Sequence, residues 1–355
     1  FIDRYMGVYD GGWDELREQR RLRATELGII PEGIGMERMP TTADWDALSA
    51  DQRRFQAKRM AVYAAMVEAM DYHLGRLLDY LVERDQYENT IVIFTSDNGA
   101  EASGPADSES FASRRGVAAL GYHSDYERLG LKGSYNSISP SFASAAASPL
   151  AYYKFYAGEG GMRVPLIIAG SRLPVRGELS HAFSFVTDIA PTVLSLAGVT
   201  PPVGRYAGRP VESMIGRDLG PLLRQEVERI YSPMDTVGYE LAGHAALFQG
   251  DYKILYIYGP LGDGRWHLYN IAKDPGETRD LAAEQPERLQ RMLSAYDRYA
   301  RDNNVLPVPP GYDHLRQVGI NTLHTRMRSP VLVALLTLLV LLPFMVAYRL
   351  KQKEK

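Results

Sequence analysis

Cysteine is missing from all 355 residues, which removes disulfides, a thiolate nucleophile and thiolate metal sites together. Charge of one sign is missing too. The net charge is −3, with acids and bases mixed along the chain, so nothing electrostatic argues for a nucleic-acid partner. There is no glycine fingerprint of the nucleotide-binding kinds, no internal repeat and no low-complexity tract. The start, "FIDRYMGVYDGGWDELREQR", has scattered charge and no apolar core, so it is not a signal peptide. Because it opens on Phe1 and not Met, the natural N-terminus is expected upstream. What is present is a globular composition, 45% hydrophobic and 23% charged, long enough for one large domain and a smaller one.

Asp14 to Leu27 reads as a solvated helix that stops at Gly28. Ala43 to Asp85 reads as helical with a break near Ala50-Asp51. Its later part sets Tyr63, Met66, Val67, Met70, Leu74, Leu77, Leu78 and Leu81 three and four apart, one apolar stripe expected to face a sheet. His73 lies beside that stripe and reads as a partly buried or surface histidine and not as a ligand. Thr90–Thr95 is a short apolar strand, and Val164–Ala169 is a second. Between them, Gly99 to Ala147 shows no sustained period, as a long functional loop would. Asp188, Pro191 and Gly198 punctuate a helix. This alternation predicts an α/β fold with a mostly parallel sheet flanked by helices. From Ala245 the pattern changes. "AALFQGDYKILYIYG" and "RWHLYNI" read as an antiparallel hairpin, followed by a helix from Pro286 to Asn303, so a smaller C-terminal α+β subdomain is expected.

The chemistry-bearing residues are few. "TIVIFTSDNGAE" ends its strand on Asp97-Asn98-Gly99. Ligands in open α/β sheets bind at the carboxyl ends of strands, and a carboxylate and an amide carbonyl are hard donors suited to Ca²⁺ or Mg²⁺. Gly99 is expected to let the chain turn sharply. Asp-Asn-Gly is equally a good turn sequence, and two side chains cannot fill the 6–8 oxygens of a Ca²⁺ shell. In "YYKFYAGEGGMRVP", Lys154 could serve as a point charge for an anionic substrate or lie along the surface.

Taken together, "IVIFTSDNGAE", "YKFYAGEGGMRVPLIIAG", "SHAFSFVTDIAPTVLSLAGV" and "RWHLYNIAKDPGETRDLA" resemble the arylsulfatases of the alkaline-phosphatase-like superfamily in order and spacing, from Phe1 to about Asp313. "YDGGWDELREQRRLRATELGIIP" is similar to the bacterial branch. The resemblance implies an alkaline-phosphatase-like fold. It implies that Asp97 and Asn98 are two ligands of one Ca²⁺ ion, and that Lys154 contacts the sulfate of a sulfate-ester substrate as a catalytic residue. Asp188 and Pro191 match a structural motif. The family's formylglycine, made from Cys or Ser in Cys/Ser-x-Pro-x-Arg, attacks sulfur as its hydrate. No such motif occurs in these residues, so the resemblance implies that the nucleophile and the remaining cation ligands lie upstream, and that this stretch alone is inactive. A phosphodiesterase or phosphonate monoester hydrolase of the same superfamily, and a non-catalytic membrane-anchored relative, stay open as alternatives.

Ser329 to Tyr348 is uncharged over 20 residues, about 30 Å as a helix, enough to span a bilayer. Arg349, Lys351, Lys353 and Lys355 follow. The expected organisation is therefore the C-terminal portion of a catalytic α/β domain over 1–228, the α+β subdomain over 229–320, a transmembrane helix over 329–348 and a basic cytoplasmic tail over 349–355. The lipid bilayer would be a partner and the catalytic part would be periplasmic or extracellular.

Overall fold

The computed structural model describes residues 1–102, 115–118, 120–174, 177–313, 316–317, 319–321, 324, 334 and 337–343. The chain divides into two units, Phe1–Val305 and Leu306–Lys355.

The first unit begins with α1 (Gly12–Glu26) and α2 (Ala50–Glu83). The Ser49 hydroxyl accepts from Gln52 N–H while the Gln52 side chain takes the Ser49 N–H, a reciprocal cap that fixes where α2 starts. Its first half is core: Ala57, Met60, Ala61, Val62 and Ala65 are buried. Its second half departs from expectation. Met66, Val67, Met70 and Leu77 are roughly half exposed, and no sheet covers that end of the stripe among the described residues. His73 is exposed and bonds Arg76 at 3.0 Å.

α1 is less solvated than its charge suggests, because Trp13 is buried and donates to the Ala43 carbonyl at 3.0 Å. Trp13, Trp45 and Phe142 meet edge to face, with centroids 4.7 and 5.4 Å from Trp13. Phe142 comes from α3 (Ser139–Ala147), inside the stretch expected to be loop. Six of its nine residues are buried, and a helix covered on most sides by small residues leaves no amphipathic period to read.

The sheets correct the expected parallel architecture. β1 (Val92–Thr95) pairs with β2 (Leu166–Ala169) antiparallel, Val92 opposite Ala169 and Thr95 opposite Leu166. Between them come α3 and the single turn α4 (Glu159–Met162), after which the chain returns alongside β1 in the opposite sense. β3 (Arg205–Tyr206) and β4 (Arg209–Pro210) make a second antiparallel pair. A four-stranded antiparallel sheet follows in the order β5 (Thr236–Leu241), β6 (His244–Gln249), β7 (Tyr252–Tyr256), β8 (Trp266–Asn270). Thus "AALFQGDYKILYIYG" is itself a hairpin, turning at Gly250, whose φ is +56°.

α5 (Ile189–Leu196) and the short α6 (Gly220–Leu223) precede this sheet, and α7 (Pro286–Asp302) follows it. Asp188 is fully buried at the start of α5, but its carboxylate does not cap that helix. It accepts from Phe185 N–H, Arg217 N–H and the Tyr231 hydroxyl at 2.7, 2.8 and 2.6 Å. One face of the β5–β8 sheet packs Leu247, Ile254 and Leu268 on Met292 and Ala295 of α7. The other packs Ala246, Phe248 and Leu255 against Tyr152, Tyr156 and Ala157. The sheet therefore supports the segment that carries Lys154 from behind.

The second unit corrects the membrane reading. Most of 329–348 lies outside the described residues, and the described stretch 337–343 is helical. Among the described residues no helix is long and apolar enough to cross a membrane. The transmembrane helix, the bilayer as partner, and the membrane-anchored placement with a periplasmic or extracellular body and a cytoplasmic tail are accordingly not carried further.

Candidate functional site

β1 delivers Asp97 and Asn98 to its C-terminal end, Asp97 exposed and Asn98 half-buried. The turn that holds them is pinned from both sides. Ser96 donates through its hydroxyl to the Asn98 carbonyl at 2.8 Å, and Thr95 donates to the Pro165 carbonyl at 2.9 Å. Gly99 N–H donates to the Gly161 carbonyl at 2.8 Å.

Gly99 is required for a reason other than the one expected. Its φ is not in the left-handed region; instead a Cβ there would sit 2.8 Å from the Gly160 carbonyl carbon and closer still to its oxygen. Close backbone approach is what demands glycine here. Gly160 and Gly161 are hemmed in likewise by the carbonyls of Ala151, Tyr152, Tyr153 and Tyr156.

Lys154 joins this turn through its backbone, its N–H donating to the Ala100 carbonyl at 3.0 Å. Its ammonium pairs with the Glu101 carboxylate, both side chains being about 40% exposed. The structure thus brings Asp97, Asn98 and Lys154 into one turn-and-loop unit. Glu101 is a residue that sequence reasoning passed over, although it closes the same quoted stretch.

Behind the unit lies a buried ionic cluster that sequence reasoning also missed. Lys253 of β7 has no exposed surface, and its Nζ donates to Glu159 Oε1 at 3.0 Å and Glu277 Oε1 at 2.8 Å. Glu159 N–H donates to Glu277 Oε2 at 2.9 Å, and Arg163 reaches Glu159 at 2.9 Å. Complete burial pushes the Glu277 carboxyl up to about 7, although Lys253 opposes it. Burial also works against Glu159, yet the two cations beside it hold its carboxyl below the ordinary range. Lys253 stays charged, since both carboxylates outweigh its desolvation. The available signal was a lysine in the middle of the apolar strand run "YKILY".

Asp97 and Asn98 can offer hard oxygens from neighbouring positions, the donor chemistry of a Ca²⁺ or Mg²⁺ site. They make part of a shell and not a whole one: among the described residues no group of three or more His, Cys, Asp or Glu is placed to hold a metal ion. The donor type fits a divalent cation, and the donor count leaves most of its coordination to other groups.

Comparison with known proteins gives the family. The family model described as Sulfatase matches residues 3–199, more than half of the chain. The chain belongs to the sulfatase family. Over 320 residues it is 34% identical to an uncharacterised sulfatase of Schizosaccharomyces pombe, covering 88% of this chain and 56% of that protein. It is 33% identical to the arylsulfatase of Klebsiella aerogenes over 220 residues, 62% of this chain and 46% of the relative. The chain thus spans about half the length of these relatives. Among solved structures, a protein in complex with its substrate D-glucosamine-2-N,6-O-disulfate is 21% identical. That match covers 72% of this chain and 43% of that one, with a TM-score of 0.46.

Proposed function

We propose that this sulfatase-family chain serves the hydrolysis of sulfate monoesters, with Asp97 and Asn98 as two oxygen ligands of a Ca²⁺ ion and Lys154 as the cation that binds the sulfate group. One observation carries the reading. In a sulfatase-family chain, the acid–amide pair at the end of β1 and the lysine some fifty residues later are tied together through the Lys154 N–H to Ala100 bond and the Gly99 N–H to Gly161 bond.

The chain's own residues would work as follows. Lys154, already paired with an anionic oxygen of Glu101, would exchange that partner for the sulfate oxygens, holding the group against the turn. A positive charge fixed there favours the negative charge that builds on those oxygens in the transition state. A divalent cation held in part by Asp97 and Asn98 would supply Lewis-acid polarisation of the substrate. The backbone bonds of Gly99 and Lys154 hold together the segments that carry carboxylate, amide and ammonium, which would lessen the ordering left to the moment of reaction.

The test is hydrolysis of a chromogenic aryl sulfate and of the matching aryl phosphate by the full-length protein and by Lys154→Ala. The proposal expects sulfate to be the better substrate, and the variant to lose on the order of a hundredfold in kcat/KM. Preference for the phosphate, or an unaffected variant, would refute it.

A further inference from the structure

The strongest unexplained feature is Lys253. It lies on β7, in the sheet beyond the site loop, has no exposed surface, and spends its charge on Glu159 and Glu277. Burying an ammonium among two carboxylates in a sheet that already has apolar cores on both faces is not the cheapest way to hold that sheet together, since apolar side chains of like volume often do as well. Its position suggests what it does instead.

Glu159 is the residue immediately before Gly160-Gly161, the pair against which the Asp97–Asn98–Gly99 turn is packed. Its carboxylate is held by Lys253 and Arg163, and its N–H by Glu277, so the side chain and backbone of Glu159 are both fixed. From there the contact passes on directly. Gly160 N–H donates to the Ala151 carbonyl at 2.7 Å, the Gly161 carbonyl accepts from Gly99 N–H at 2.8 Å, and Lys154 N–H donates to Ala100. Glu277 comes from the loop after β8, with φ at +54°, so three separated segments converge on one backbone position beside the site.

We propose that Lys253, Glu159 and Glu277 form a buried ionic latch that positions the Asp97–Asn98–Gly99 turn and Lys154, making Lys253 a positioning residue supplied by the β5–β8 sheet. The latch acts on the turn through the backbone of Gly160-Gly161. It touches neither the substrate nor the cation. That the turn is a sulfate site rests on the preceding proposal; that the latch holds the turn does not.

The test is hydrogen exchange with peptide resolution on the full-length protein, comparing Lys253→Met and Glu159→Gln with wild type. Exchange needs neither metal nor turnover, so it can fail or succeed independently of the Lys154→Ala result. The latch predicts exchange about tenfold faster in peptides covering 96–102 and 151–162, with little change in those covering 245–256 and 286–302. It also predicts a fall in kcat of similar size with KM nearly unchanged. Glu159→Gln preserves shape and leaves Lys253 paired with Glu277, so it decides the matter if Lys253→Met does not fold. Uniform acceleration across all peptides, or an unaltered 96–102 segment in a folded variant, would overturn the proposal.

Discussion

Gly99→Ala is a small change aimed at the packing that defines the site. The added methyl carbon would lie 2.8 Å from the Gly160 carbonyl carbon and 3.0 Å from Gly161 Cα. Carbon atoms at rest need about 3.5–4.0 Å. Every atom it meets first is backbone, so no side chain can swing aside, and one of the two segments must retreat by about an ångström. Such a retreat stretches the 2.8 Å bond from Gly99 N–H to the Gly161 carbonyl. A lost hydrogen bond costs about 1 kcal/mol and overpacking about 1–3 kcal/mol. Together they predict a loss of about 2–4 kcal/mol, read as a lower urea midpoint with an unaltered slope. No left-handed strain contributes, because the φ of Gly99 is ordinary. A variant as stable as wild type, with unaltered exchange at residue 99, would refute the close-approach argument.

Three other predictions follow from separate parts of the molecule. Phe142→Ala empties a fully buried site ringed by Tyr9, Trp13 and Trp45, so it should cost about 3–5 kcal/mol by thermal or urea unfolding. Glu101→Gln frees the Lys154 ammonium of its partner. Since both groups are well solvated the pair is weak, and KM for an aryl sulfate should fall by only about two- to fivefold. Burial lowers the pKa of His267, but hydrogen bonds to Asp263 at 3.0 Å and Asp280 at 2.8 Å more than reverse that, leaving it raised. A raised folded-state value stabilises fully below the unfolded pKa of about 6.5, and that stability is lost as pH climbs through the folded value. With Asp263 nearly half exposed the effect is under about 1 kcal/mol; His267→Asn should abolish that part of the decline in urea midpoint above pH 6.5.

Some of this was readable from residues alone, and the reasons differ element by element. The three-four spacing of α2 announces a helix because it is a local property of the chain, but the start expected at Ala43 falls at Ala50, where the Ser49–Gln52 cap sets it. Asp97-Asn98-Gly99 announces itself because a polar pair abruptly ends an apolar run. Strand direction was not readable: runs as short as Val92–Thr95 and Leu166–Ala169 carry no mark of which way they pair, and the alternation with helices pointed to a parallel sheet. α3 was hidden because its small buried residues leave no polar face. The cluster of Lys253, Glu159 and Glu277 was hidden by distance, its members lying 94 and 24 residues apart from Lys253. The apolar run in 329–348 is plain in sequence, yet among the described residues no helix long and apolar enough to cross a membrane corresponds to it.

On the reading proposed above, Asp97 and Asn98 offer their oxygens to a divalent cation. The most direct test of that reading is a calorimetric titration of Ca²⁺ into the full-length protein, freed of metal beforehand, alongside Asp97→Ala. Asp97 is exposed, and its carboxylate accepts no hydrogen bond among the described residues, so the variant should remain folded. Wild type should bind saturably and the variant at least tenfold more weakly, about 1.4 kcal/mol or more. Equal Ca²⁺ affinity in the two proteins would contradict it.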